Sequence, residues 1–183
     1  MKKEKKTRLK ENSKKTWSLL LRYSILLVLA ISLPLFYKIL TPLTVYSTAG
    51  LLKPFYQVLV SGDIIFVSNN LIQIIPACVA GSAYLLLLIF NLSVSMKAKQ
   101  RIYSILFSVS ILFILNILRI FFLTILFVNN FKFFDFTHKF FWYVLSTIFV
   151  VGIWFLTVYL FKIKQIPAYS DIKYLIKNIK KKI

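Results

Sequence analysis

Three residues of the sequence carry side chains suited to covalent chemistry. Cys78 is the only cysteine, His138 is the only histidine, and Arg119 lies within a long apolar segment. A thiol can act as a nucleophile, and an imidazole, which titrates near neutral pH, can act as its general base. A guanidinium can stabilise the oxyanion that forms when the nucleophile attacks a carbonyl group. Together, these residue types suit acyl transfer through a thioester.

Arg119 is the most unusual of the three, because no acidic residue accompanies it between positions 111 and 127. An arginine at the centre of a membrane helix costs at least about 2.5–3.5 kcal/mol, and such residues usually serve a function. Ten residues separate Arg119 from Asn129, about 15 Å along a helix, which predicts a position in the outer half of that helix. Asn116, one helical turn earlier, is predicted to orient the guanidinium. The structural alternative is contact with backbone carbonyls or lipid phosphates.

Cys78 and His138 each lie at the start of an apolar segment. Cys78 follows Pro76 in the first turn of its segment, where the positive end of a helix dipole favours a thiolate. The small residues at 79–83 would let another chain approach closely, or would simply pack against a neighbouring helix. Asp135 lies three residues before His138 and would orient the imidazole if that turn is helical. Taken alone, a single cysteine is more often a small buried hydrophobe, and a single interfacial histidine more often has no chemistry.

The composition describes the environment of these residues. The chain has 183 residues, of which 59% are hydrophobic and 16% charged, and its mean hydropathy is +0.78. Soluble domains are usually about 45–50% apolar and about 25% charged. The 18 Phe, 10 Tyr and 3 Trp exceed what a soluble domain of this length can bury. The composition therefore predicts an all-α integral membrane protein and excludes soluble enzymes.

Four apolar segments are long enough to cross a bilayer, whose hydrocarbon core is about 30 Å thick. The predicted transmembrane helices are residues 17–36, 77–94, 102–128 and 138–161. Pro34 is expected to kink or end the first of them. Between the first two spans, prolines, glycines and charged residues interrupt the apolar pattern, so we predict an interfacial or re-entrant helix over residues 46–60. Residues 64–67 and 71–75 flank an Asn-rich turn and predict a short β-hairpin, with an irregular loop on the bilayer as the alternative.

The charges predict the orientation of these spans. The chain carries 24 Lys and Arg against 5 Asp and Glu, a net charge of +19. The basic residues concentrate at 1–16, at 96–101 and from residue 162 onward, next to apolar spans, which is the positive-inside pattern and not a nucleic-acid groove. We therefore predict a basic cytoplasmic tail at 1–16, one transmembrane domain at 17–161 and a second basic cytoplasmic tail at 162–183, with residues 169–183 as a surface helix. This topology places Cys78, Arg119 and His138 together on the outer face.

The motifs around these residues resemble the exosortase/archaeosortase family of membrane-embedded cysteine transpeptidases. The resemblance covers roughly residues 62–161 and rests on Ala77-Cys78, on Asn116-Ile117-Leu118-Arg119 and on the later His138. Family enzymes carry an Ala-Cys motif, an Asn-x-x-Arg motif and a later His or Arg on successive helices. The shortness of the chain resembles the compact archaeal members.

The resemblance implies a role for each residue and a class of substrate. Cys78 would be the nucleophile, His138 the base, and Arg119 the group that stabilises the oxyanion or thiolate. The substrate would be a secreted protein with a C-terminal motif, a hydrophobic helix and a basic tail. The enzyme would cut at the motif on the outer face of the cell membrane and pass the product from a thioester to an acceptor such as a lipid.

Two other functions are compatible with the sequence. In a non-catalytic membrane component, such as a transporter subunit or assembly factor, Cys78 would only pack and Arg119 would be structural or ligand-binding. A simple hydrolase would release the cleaved protein and attach nothing. The sequence has no metal-ligand cluster, Gly-rich phosphate loop or Gly-x-Ser-x-Gly motif, so we predict neither a cofactor nor a metal.

Overall fold

The computed structural model describes residues 33–94 and 96–163, together with scattered helical positions between Trp17 and Ile31. The predicted tails, at 1–16 and from residue 164 onward, lie outside the described residues, as do the predicted helix at 169–183 and much of the predicted first span. The described chain is mostly helical and contains one small β-sheet. Three of its helical stretches are long and apolar enough to cross a membrane, as expected of a multi-pass membrane protein: Pro76–Ser93, Ala98–Val128 and Phe134–Leu160.

Helix α1, Leu33–Leu52, precedes these three stretches and continues through Pro42. Its buried side chains lie toward its C-terminal end: Thr44, Val45, Thr48, Ala49 and Leu52. The predicted interfacial or re-entrant helix over residues 46–60 is wrong beyond Leu52. The chain turns there through Pro54, whose ring nitrogen cannot donate a helical hydrogen bond, and it then forms a strand.

A three-stranded antiparallel sheet follows α1, in the order β1-β2-β3. The strands are β1, Val58–Ser61, β2, Ile64–Val67, and β3, Asn70–Gln73. The β2–β3 pair lies where the sequence predicts a hairpin, with Ile64 opposite Gln73. Strand β1 was missed, because a short β-branched run cannot be told from a helix by periodicity. One face of the sheet, including Ile65, packs against α1.

The first membrane-length stretch is broken into α2, Pro76–Val79, and α3, Gly81–Ser93. Ala80 separates the two helices with left-handed backbone angles, φ 59° and ψ 34°. The predicted single helix over residues 77–94 is therefore wrong at this point. At Gly81, the residue after the break, a Cβ would lie 2.5 Å from Cε1 of Tyr37, so the glycine lets that ring pack against the start of α3.

The other two membrane-length stretches begin earlier than predicted. Helix α4, Ala98–Val128, includes part of the basic segment at 96–101, because lysine, glutamine and arginine are good helix formers. The last stretch consists of α5, Phe134–Phe140, a π-helical turn at Phe141–Leu145, and α6, Ser146–Leu160. His138 was predicted to begin this stretch. It lies instead in the second turn of the stretch.

A buried polar cluster joins α3, α4 and α6. Ser108 Oγ donates to the carbonyl oxygen of Ser104, lies 3.4 Å from Nδ2 of Asn91 and lies 3.0 Å from Oγ1 of Thr157. Ser104 in turn donates to the side-chain oxygen of Asn91. All four residues are fully buried. Hydrogen bonds of this kind hold helices together in a membrane, where the hydrophobic effect does not drive helix–helix association.

Candidate active site

Three of the residues predicted to form the site, Cys78, Arg119 and His138, line one cavity of about 240 Å³, and Asn116 and Asp135 are not part of its wall. Helix α2 contributes Cys78, α4 contributes Arg119 and α5 contributes His138. The rest of the wall is largely apolar and includes β3 with the two residues that follow it. The fold thus brings the only thiol, the only imidazole and a buried cation of the sequence to one site.

The carbonyl oxygen of Cys78 accepts hydrogen bonds from two side chains of α4. The donors are Nδ2 of Asn116, at 2.9 Å, and Nη2 of Arg119, at 3.2 Å. Carbonyl groups in the last turn of a helix lack intrahelical partners, and Ala80 ends α2 two residues after Cys78. The break in the helix therefore provides the acceptor. The sequence suggested that Asn116 orients the guanidinium directly. In the structure, Asn116 instead donates to the same carbonyl oxygen as the guanidinium does.

Arg119 is only 8% exposed. Besides its bond to Cys78, it makes one hydrogen bond to α6 of the last stretch. Its Nη1 donates to Oγ of Ser146, at 2.7 Å, and that hydroxyl donates to the carbonyl oxygen of Phe141, at 3.0 Å. The Nε of Arg119 is buried without a partner among the described residues. The guanidinium thus links α2 to α6 through neutral acceptors.

The ring of His138 is held by aromatic neighbours. It stacks on Phe134, with ring centroids 5.7 Å apart and planes 11° from parallel, and its centroid lies 6.3 Å from that of Trp142. The turn that contains Asp135 is helical, which was the condition for Asp135 to orient His138, but no hydrogen bond within the described chain joins the two residues. Stacking on Phe134 therefore sets the plane of the imidazole.

A comparison with protein families decides the affiliation of the chain. A family model described as transmembrane exosortase (Exosortase_EpsH) matches residues 13–159. The chain belongs to the transmembrane exosortase family. The resemblance drawn from its motifs is thereby confirmed. Searches among curated proteins and among solved structures found no match.

The exosortase match includes every residue of the candidate site, and two features of that site were not predicted. Ser146 escaped the sequence analysis because serine is common in transmembrane helices, where it packs or bonds to its own backbone. The π-helical turn before it has no recognisable sequence signal. Within the described residues, no group of three or more His, Cys, Asp or Glu side chains could hold a metal ion.

A second cavity, of about 320 Å³, lies beside the first in this exosortase. Ala80, between α2 and α3, and Ala83 of α3 line one side of it, and Val150 of α6 lies on the other. Arg119 lines both cavities. The small residues at 79–83 therefore face an open groove as well as the protein interior.

Proposed function

We propose that this exosortase-family protein is a membrane cysteine transpeptidase with Cys78 as its nucleophile. The observation that carries the proposal is the cavity that Cys78, Arg119 and His138 line together. A thiol, a base and a cation at one site are what acyl transfer through a thioester requires. Family membership supports the same reaction class.

The proposed reaction has two steps. In the first, His138 takes the thiol proton while the Cys78 sulfur attacks the scissile carbonyl, and the protonated imidazole then gives that proton to the departing amine. The cleaved chain remains bound to Cys78 as a thioester. In the second step, His138 takes a proton from an acceptor amine or hydroxyl, which attacks the thioester carbonyl; the C–S bond breaks, and the protonated imidazole returns that proton to the departing Cys78 thiolate.

Arg119 would stabilise the oxyanion that forms in each step. Its buried charge has only neutral partners, so a negative charge developing nearby would meet no competing anion on those partners. Arg119 also lines the cavity, so its guanidinium would donate a hydrogen bond to an oxyanion that forms there. A donor of this kind typically contributes about 10²–10³ in rate.

The proposed substrate is a secreted protein that ends in a short motif, an apolar helix and a basic tail, and the acceptor is a membrane lipid or another amine or hydroxyl. The groove beside Ala80 and Ala83 supports such a substrate, because small residues allow close approach of an apolar helix. Charge placement supports cleavage at the outer face of the cell membrane. Arg101 lies near the start of α4, far from Arg119, and basic residues favour the cytoplasmic side.

The proposal is tested by producing the full chain together with a secreted protein that carries such a C-terminal signal. Mass analysis of its new C-terminus should show an adduct with the native chain, and the uncleaved protein should accumulate with Cys78→Ala and Cys78→Ser. Normal processing by Cys78→Ser would instead indicate a packing role and a non-catalytic membrane component. A free carboxylic acid at the new C-terminus would indicate a hydrolase.

A further inference from the structure

We infer that Ser146 is a positioning residue that holds the guanidinium of Arg119 at the candidate active site. This inference rests on the proposed function, because Ser146 matters for the reaction only if Arg119 stabilises the oxyanion as proposed. Ser146 itself is half-buried, lies on α6 and lines the second cavity beside Arg119, but it is absent from the walls of the cavity that contains Cys78. Its effect on the Cys78 thiol would therefore pass through the arginine, which lines both cavities.

The direction of the two hydrogen bonds at Ser146 supports this role. A hydroxyl has one proton to donate and two lone pairs that accept. Ser146 donates its proton to the carbonyl oxygen of Phe141, at 3.0 Å, so a lone pair is left to accept from Nη1 of Arg119, at 2.7 Å. The hydroxyl cannot turn away from the guanidinium without losing both bonds.

The π-helical turn supplies the fixed end of this arrangement. The backbone N–H of Ser146 also donates to the Phe141 carbonyl, five residues earlier, so this oxygen accepts from both the backbone and the side chain of Ser146. In an uninterrupted α-helix, residues eight positions apart point about 80° away from each other. A π turn takes up one extra residue and reduces that angle between His138 and Ser146.

The consequence is that the last membrane-length stretch presents three residues to Arg119 and its cavity. His138 and Trp142 line the cavity, while Ser146 binds the guanidinium that lines the same cavity. Ser146 and the carbonyl of Cys78 bind different nitrogens of the guanidinium, Nη1 and Nη2. Loss of the hydroxyl would leave Nη1 without this partner and let the planar group rotate about its remaining contact.

The test uses the rate at which N-ethylmaleimide labels the sole thiol of the purified full chain at pH 8. A cation near a thiol favours the reactive thiolate, so Arg119→Ala should slow the labelling. Ser146→Ala should slow it by roughly three- to tenfold, since a hydrogen bond to a charged group is lost. Ser146→Ala should have no further effect in a protein that already carries Arg119→Ala, because a positioning residue acts only through its partner.

Two controls separate this role from a general structural one. Thr147 is the next residue, and its hydroxyl donates to the carbonyl oxygen of Tyr143 and not to Arg119. Cys78 should therefore be labelled at the native rate in the Thr147→Val protein. Thr and Val have nearly the same shape, so Ser146→Thr should keep the native rate while Ser146→Val should behave like Ser146→Ala. This pair also decides the question if the alanine variant fails to fold.

Either of two results would overturn the inference: native labelling of both Ser146→Ala and Ser146→Val, or equal slowing by Ser146→Ala with and without Arg119. The proposed function fails separately, if the substrate is processed normally by Cys78→Ala. Slow labelling of Ser146→Ala together with normal processing by Cys78→Ala would therefore keep the positioning role and reject the peptidase.

Discussion

Arg119 donates a hydrogen bond to the backbone of Cys78, across the 3.2 Å between Nη2 and the carbonyl oxygen. The buried cation is thus attached to the residue that carries the only thiol, and the thiol itself is not used in that contact. Asn116 binds the same oxygen, so two side chains of α4 fix the position of one residue of α2. Cys78 is thus held by its backbone in the wall of the cavity.

Replacing Arg119 by lysine should reduce substrate processing by roughly 10²-fold or more, although the charge is retained. The planar guanidinium reaches both Ser146 and the Cys78 carbonyl, whereas a single ammonium group on a flexible stem cannot hold both contacts in the same geometry. The measurement is product formed per unit time by the native and Arg119→Lys proteins at matched amounts. Equal rates would mean that a positive charge alone is sufficient.

Cys78 should be labelled by a membrane-impermeant maleimide from the outer side of intact cells. The reason is that the basic residues near the start of α4 favour the cytoplasm, while Arg119 and the cavity lie further along the same helix. The matched control is Ala98→Cys in a Cys78→Ala protein, since Ala98 is exposed at the start of α4. This second thiol should react only after the cells are opened. The reverse pattern would invert the proposed topology.

Replacing Gly81 by alanine should destabilise the protein by about 1–3 kcal/mol, the usual cost of overpacking. The new Cβ would lie 2.5 Å from Cε1 of Tyr37 and 2.8 Å from its hydroxyl oxygen, so the ring must move. Thermal unfolding in detergent measures the loss. In a Tyr37→Ala background the same glycine substitution should cost much less, and an unchanged cost would show that the clash is not its cause.

Ser108→Ala should destabilise the protein by about 1–2 kcal/mol, because its hydroxyl connects α4 to both α3 and α6. Ser110→Ala is the matched control, since Ser110 lies on the same helix but is exposed, and its loss should not change the unfolding temperature. Both variants should label Cys78 at the native rate. Slower labelling of Ser108→Ala would reveal coupling between this polar cluster and the site.

The sequence predicts the parts of the fold that depend on composition. Long apolar segments and their flanking charges identify the three membrane-length stretches, and the rarity of Cys78, Arg119 and His138 in such segments identifies the side chains that meet at the cavity. These signals are local, so a single chain displays them. Family membership follows from the same residues and is confirmed by the match over residues 13–159.

The features that escaped prediction arise from contacts between distant residues. The break at Ala80 lies beside Gly81, against which Tyr37 packs from more than forty positions earlier in the chain. The contact between Asn116 and the Cys78 carbonyl exists only because that break ends α2. The prediction of a helix over residues 46–60 was wrong beyond Leu52 for another reason. Val58-Leu59-Val60 is a short apolar run with two β-branched residues, and such a run is compatible with either a strand or a helix.

The π-helical turn at Phe141–Leu145 gives the last membrane-length stretch a change of phase. Side chains before the turn and side chains after it therefore point in directions around the helix axis that a regular α-helix would not give them. If the same residues formed an uninterrupted α-helix, the apolar length and composition would be unchanged, and everything before the turn would be rotated by about 100° relative to α6. His138 and Ser146 would then face different directions in a protein that still crosses the membrane. The bilayer therefore requires only the length of this helix, whereas the candidate site requires the angle between His138 and Ser146 around the helix axis.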